Sequence, residues 1–372
     1  MNVNSFTNTI NSFTPTTTQT VNQLISAKMQ VSATTGNQFG TVHALVGVAA
    51  FDRGDRLIGQ LLGMGGAGDG ASGANGITRR AMPIRDTSAL GGEGSGLTMF
   101  GGYFGNWSRI NADASVPVAG VKGRTNGFVL GLEKKLGGSG HVGIAVDHGT
   151  SDASVLDLLS PETLKLKYSQ IGLYAGMNSG GFALDAAVTY GFGTAHTTLV
   201  NPTTPARGSR DVKSLSLGAQ AGYSVALGKS ATFAPHVGIR HVSASLDRFT
   251  EAGGPSPLIG LDDKVHRTRI YAGLEAKAGI DLGNVTLTPS FYGRIARDSG
   301  NVRGTADLVF ASAPGGPVMS AFGPGVGRDV AELGGSLDAA VSGNVHLWVG
   351  YDGTFRSGAQ AHAAKAGVTV AF

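Results

Sequence analysis

The 372-residue chain contains no cysteine, and only 15% of its residues are charged against about a quarter in an average soluble protein. Without cysteine there is no disulfide scaffold, no thiolate-bound zinc or iron–sulfur centre and no thiol nucleophile. The net charge of +4 is small for this length, and no Lys/Arg-rich run is present, so no nucleic-acid partner is expected. No run approaches the roughly 18 apolar residues of a membrane helix; the nearest, Val42 to Phe51, is interrupted by His43 and Gly47. Residues 1–20 hold neither Lys nor Arg and no apolar core, so no signal peptide is read there, and the chain is expected to be a fragment. What the sequence has in excess is glycine, 60 residues, about twice the usual share. Glycine does not recur every third residue, which excludes collagen.

Two regions differ in texture, 1–96 and 97–372. The first is rich in Thr, Asn and Ser, and then in Gly and Ala. Within it, Leu45, Val46, Ala49, Ala50, Arg53 and Leu57 fall at spacings of three and four, which predicts a helix over 42–62, with Gly63 and Gly65 as stop signals. Residues 63–96 read as a flexible linker.

From Leu97 onward, apolar residues alternate with small or polar ones, the mark of strands with two chemically different faces. At the chain's end Ala364, Ala366, Val368, Val370 and Phe372 share one face, and Ala363, Lys365, Gly367 and Thr369 the other. Twelve such strands of about ten residues are expected. The first, 97–111, has aromatics in both phases (Phe100, Tyr103, Phe104, Trp107), which suggests a bulge or a partly buried face. The polar faces are mostly Gly, Ser, Thr and Ala with single charges: Glu133, Asp147, Asp185, Arg240, Arg269, Glu275, Lys277, Asp338 and Lys365. A soluble sandwich would carry many more Lys and Glu there, whereas a narrow wet lumen fits small residues with isolated charges. Short connections at 137–140, 178–181, 227–231 and 342–344 alternate with longer ones at 112–123, 150–162, 198–212, 248–265 and 299–327. The fold expected is therefore all-β: a twelve-stranded antiparallel transmembrane barrel, closed because an open edge cannot face lipid. Tyr190, Tyr223, Tyr351 and Phe372 are candidates for its interfacial girdles.

The nine charges are the candidate lumen-facing set, pairing across the lumen or holding a plug. As a plug, helix 42–62 would be about 32 Å long, near the hydrocarbon thickness, and would offer Arg53, Asp55 and Arg56 to the wall. The linker 63–96 is the alternative occupant and is preferred here because it adjoins strand one. The two GxGxxG matches at Gly63–Gly68 and Gly68–Gly73 follow no hydrophobic strand, and Leu227-Gly228-Lys229-Ser230 lacks the first phosphate-loop glycine, position 223 being Tyr223. No catalytic, cofactor or metal site is read, and His141, His148 and His236 are taken as lumen or loop residues.

The ending LWVGYDGTFRSGAQAHAAKAGVTVAF closely resembles the last two strands of autotransporter (type V secretion) translocator domains. GGYFGNWSRI at 101–110, NGFVLGLE at 126–133 and YSQIGLYAG at 168–176 are similar to that family's first, second and fourth strands. The resemblance implies a non-enzymatic outer-membrane translocator of a Gram-negative bacterium, carrying an N-terminal passenger across the outer membrane and anchoring it at the surface. It also implies that the terminal strand, with Tyr351, Val368, Val370 and Phe372, is a signal read by the barrel-assembly machinery. The partners implied are outer-membrane lipid, that machinery and the passenger. The linker has no Asn-Asn pair, so intra-barrel cleavage is not carried over. Two alternatives stand beside it: a plugged diffusion porin and a barrel enzyme of hydrolase type.

Overall fold

The computed structural model describes residues 41–61 and 96–372, apart from 114–117, 137–139, 157–160, 201–203, 229 and 284. Linker residues 63–95 lie outside the described residues, as does everything before Thr41. Among the described residues one helix, α1 (Thr41–Leu61), precedes twelve long strands. These are β1 (Leu97–Ile110), β2 (Val121–Leu136), β3 (Gly140–Val155), β4 (Glu162–Ser179), β5 (Phe182–Leu199) and β6 (Ala206–Tyr223). Then follow β7 (Ala231–Leu246), β8 (Asp263–Ala278), β9 (Thr286–Gly300), β10 (Asp329–Ala340), β11 (Val345–Arg356) and β12 (Ala359–Ala371). Every strand pairs antiparallel with its sequence neighbours, and β12 pairs with β1 from Thr98↔Ala371 to Ile110↔Ala359, which closes the barrel.

The strands are longer than the alternation suggested, because each has two storeys of opposite amphipathicity. Along β4, Lys165 and Lys167 point outward while Leu164, Leu166 and Tyr168 are buried; past Ser169 the outward residues become Ile171, Leu173, Ala175 and Met177, and the buried ones Gln170 and Tyr174. β6 inverts in the same way, from Arg207, Asp211 and Lys213 outward to Leu215 and Leu217 outward. Much of 150–162 and 198–212, read above as loops, is therefore strand standing clear of the membrane. The lower storey is the lipid-facing belt. On β5 it runs from Phe182 to Phe192, roughly 33 Å along the strand and about 25 Å along the barrel axis at a typical tilt. Tyr190 and Tyr351 stand at its upper rim, and Tyr223 and Phe372 at its lower rim. Among the described residues no helix is long and apolar enough to cross a membrane; strands alone make the crossing.

β1 contains no bulge. Its register with both neighbours is unbroken, and the even-numbered aromatics Phe100 and Phe104 are buried while Tyr103 and Trp107 face outward. The inward rings find room because β2 presents Gly131 opposite Phe100 and Gly127 opposite Phe104.

α1 lies inside the barrel. In the upper storey Val42, Leu45, Val46 and Ala50 pack on Leu164, Leu166, Tyr168, Val212, Leu246 and Val265, as in the core of a soluble β protein. Lower down Leu57 and Leu61 meet Phe100, Val129, Ala145, Tyr174 and Ala187. The helix thus occupies the interior, because it offers an apolar stripe to the upper storey and opposite charges to the wall below it; the linker favoured above as occupant lies outside the described residues. At the long-loop end, four short segments (Phe249–Thr250, Leu258–Gly260, Thr305–Phe310, Met319–Phe322) form a small sheet over the helix start, packed on Ala44.

Candidate functional site

Arg53 and Asp55 are two positions apart, so at 3.6 residues per turn their side chains diverge by about 200° and meet opposite walls. Arg53 is fully buried; its Nη2 donates to Asp147 Oδ1 of β3 and to the Tyr168 carbonyl at 3.4 Å. Its guanidinium sits 5.6 Å from the Phe104 ring centroid and 5.8 Å from that of Tyr168. Gln170 Nε2 donates both to the Arg53 carbonyl (2.8 Å) and to Asp147 (3.3 Å), tying helix backbone and carboxylate together.

Asp55 faces an arginine ladder on the other wall. Its carboxylate lies 3.4 Å from Arg240 Nε on β7 and 3.5 Å from Arg269 Nη1 on β8. Both arginines also meet Glu332 Oε1 of β10, at 3.2 and 2.7 Å. Arg269 donates in a two-point fork to Asp298 of β9 (2.7 and 2.9 Å), which also holds Arg356 at 3.0 Å. Arg294 lies 3.6 Å from Glu332 and donates to His236 Nε2 at 2.9 Å, with its guanidinium over the Tyr271 and Tyr292 rings. Fully burying an aliphatic side chain stabilises by about 1.5–3 kcal/mol, whereas a buried ion pair is close to neutral against an apolar isostere. Apolar packing therefore holds α1 in the barrel, and the ion pairs fix its height and rotation.

All nine charges expected in the lumen are buried on the inward face, and they divide. Asp147, Arg240 and Arg269 touch the helix. The other six pair along the wall: Glu133 accepts from Tyr174 Oη (3.2 Å), Asp185 lies 3.6 Å from His141, Glu275 pairs with Lys277 (3.0 Å), Asp338 with His346 (2.9 Å), and Lys365 with Asp352 (2.8 Å). His141 and His236 face the lumen, while His148 points outward beside Phe128 and Ser169. The side chain of Arg56 lies outside the described residues. Arg294, Asp298 and Glu332 are not among the nine expected charges, yet they share the inward phase of Ser290 on β9 and Asp338 on β10. Continuing the same period along each strand finds all three. Tyr351, Val368 and Phe372 are exposed on the lipid face and Val370 is half-buried there; the Phe372 amide donates to the Leu97 carbonyl at 2.9 Å.

The upper end of α1 is fixed separately. The Val42 amide donates to Glu162 Oε2 (2.8 Å), and His43 Nε2 meets Glu251 Oε1 (2.9 Å) with its ring 4.3 Å from that of Phe249. A carboxylate accepting from a helix N-terminal amide also complements the dipole. Glu162→Ala is expected to remove about 1–2 kcal/mol from the first turn. In hydrogen exchange this would be read as roughly tenfold faster exchange of the first-turn amides, with the β1–β12 seam unchanged.

The model of the autotransporter beta-domain family matches residues 99–352. No curated protein matches the chain. Among solved structures, the translocator domain of the autotransporter NalP from Neisseria meningitidis superposes with a TM-score of 0.60 at 17% identity, covering 80% of this chain and 96% of its own. The transport unit of AIDA-I from Escherichia coli gives 0.56 at 14% identity, with 80% of this chain and 97% of its own covered. The β-domain of the Bordetella autotransporter BrkA gives 0.55 at 15% identity, with 74% and 100% covered. At these identities the superpositions speak to the fold, and the family match to the membership. The chain belongs to the autotransporter β-domain family and is an outer-membrane translocator barrel of a Gram-negative bacterium.

Proposed function

We propose that this barrel carries a passenger joined to its N-terminal side across the outer membrane, and that α1 is the part of the transported chain that stays behind in the lumen. The observation that carries the reading is the direction of the helix. It begins beside Glu162, Glu251 and Phe322 at the long-loop end and finishes against Phe100, Ala145 and Tyr174 toward the short-turn end, where β1 starts. A chain preceding Thr41 therefore leaves on the side of the long loops. The work is transport without catalysis, driven by outward folding of the passenger; Asp147, Arg240 and Arg269 seat the helix, and the other six inward charges hydrate the wall. The lipid-facing Tyr351, Val368, Val370 and Phe372 on the last two strands are the proposed signal for the barrel-assembly machinery.

The native absence of cysteine makes the test direct. Ser32→Cys is expected to react with a membrane-impermeant maleimide on intact cells, and Asn178→Cys, at the exposed end of β4 beside the short turn 180–181, only after permeabilisation. Labelling of Ser32→Cys that requires permeabilisation would reverse the orientation and end the proposal.

A further inference from the structure

The outward face above the lipid belt is basic on one side only. Arg109 of β1, Lys122 and Arg124 of β2, and Lys165 and Lys167 of β4 all point outward and are exposed. Register makes them one patch: Arg109 lies opposite Lys122, Trp107 opposite Arg124, Arg124 opposite Asp152 of β3, and Asp152 opposite Lys165. Among the described outward residues of these four strands above the belt, Asp152 is the single carboxylate set against five cations. The far side of the barrel differs. There Lys213 is paired with Asp247 (3.8 Å) and Arg297 with Asp329 (2.8 Å). Like charges directly across a strand pair destabilise a sheet, so folding supplies no reason for Arg109 to face Lys122.

Height supplies one. The patch stands immediately above Tyr103 and Phe128, themselves above Leu130, Val146 and Ile171 of the belt. The first layer above an aromatic rim is that of the lipid headgroups. Cations at this height are attracted to anionic headgroups, and guanidinium groups fit phosphate oxygens two at a time. The cations also fall in two groups, Arg109, Lys122 and Arg124 against Lys165 and Lys167. β3 lies between them, so they are about 10 Å apart at 4.8 Å per strand.

We propose that this face of β1–β4 binds an outer-leaflet lipid whose headgroup carries two phosphates, one received by each group of cations, and so fixes the barrel's rotational setting and height in the membrane. The proposal rests on the outer-membrane location and on the outward-facing long loops proposed above, and is independent of what the passenger does.

The full-length protein in neutral detergent would be titrated with a diphosphorylated disaccharide lipid and with the same lipid stripped of phosphate. Wild-type protein is expected to prefer the phosphorylated lipid by at least about tenfold. The variants Lys165→Gln/Lys167→Gln and Arg109→Gln/Lys122→Gln/Arg124→Gln should each lose most of that preference, and the ion-paired control Arg297→Gln should keep it. Retained heat-modifiable mobility in gels checks that each variant is folded. Equal affinity for the two lipids overturns the proposal, as does full affinity in either cluster variant or equally tight binding of a soluble sugar bisphosphate without acyl chains. If lipid preference fails while Ser32→Cys still labels on intact cells, this inference alone falls.

Discussion

Arg53→Met is expected to make a quiet barrel conduct. The substitution keeps most of the volume and apolar stem of the side chain but leaves Asp147 buried, with only Gln170 donating to it at 3.3 Å. Stranding one member of a buried pair costs about 3–5 kcal/mol, and the contacts to the Phe104 and Tyr168 rings go with it. At 1.4 kcal/mol per decade, the population in which the lower half of α1 leaves the wall rises by two to three orders of magnitude. Single-channel recording in planar bilayers should show frequent open bursts in the variant and few in the wild type. The decisive comparison is Arg53→Met/Asp147→Leu. With both charges removed, no desolvated ion is left behind, and the double variant should be nearly as quiet as wild type. A double variant as leaky as Arg53→Met alone would mean that Arg53 holds the helix by something other than its charge. A wild-type barrel that conducts steadily would favour the diffusion porin.

How much of this was legible in the sequence depends on which periodicity had a competitor. β12 reads correctly residue by residue, because lipid on one side and a small lumen on the other leave Val368 and Lys365 no ambiguity of face. β4 does not, because Leu164, Leu166 and Tyr168 continue the spacing of Ile171 and Leu173 but in the opposite phase. A scan seeking one apolar face per strand stops at the phase change and reads the upper storey as loop. For the same reason Glu162, which receives the first helix amide, was read as loop. Helix 42–62 was found almost to the residue, against Thr41–Leu61, but its place was not, since proximity to β1 in sequence was weighed above complementarity. Arg53 and Asp55 carried that complementarity all along: opposite charges about 200° apart on a helix suit a cavity with charged walls on both sides. The sequence also could not say which lumenal charges would meet the helix, because that depends on its rotation against β3, β4, β7 and β8.

The closing seam gives the other large effect, and two glycines there should respond differently to one rescue. Trp348 of β11 points inward and lies over Gly367 of β12 and Gly102 of β1, so one indole spans three strands across the join. A Cβ at Gly102 would stand 2.6 Å from two indole carbons and 3.0 Å from the Ala366 carbonyl oxygen, so the ring is the main obstacle. At Gly367 a Cβ would run into the indole and also into the Gly101 carbonyl oxygen, which belongs to the backbone and cannot move without parting β1 from β12. Overpacking of this kind costs about 1–3 kcal/mol when side chains can yield, and more when they cannot. Gly102→Ala should lower the urea midpoint for loss of the heat-modifiable folded band, and Gly367→Ala should lower it further or abolish the band. In a Trp348→Ala background, which itself loses stability through the emptied ring site, Gly102→Ala should add little further cost while Gly367→Ala keeps most of its own. Equal rescue of both would assign the whole effect to the indole. Rescue of neither would mean that these positions are glycine for the sake of strand curvature and that Trp348 merely rests on them.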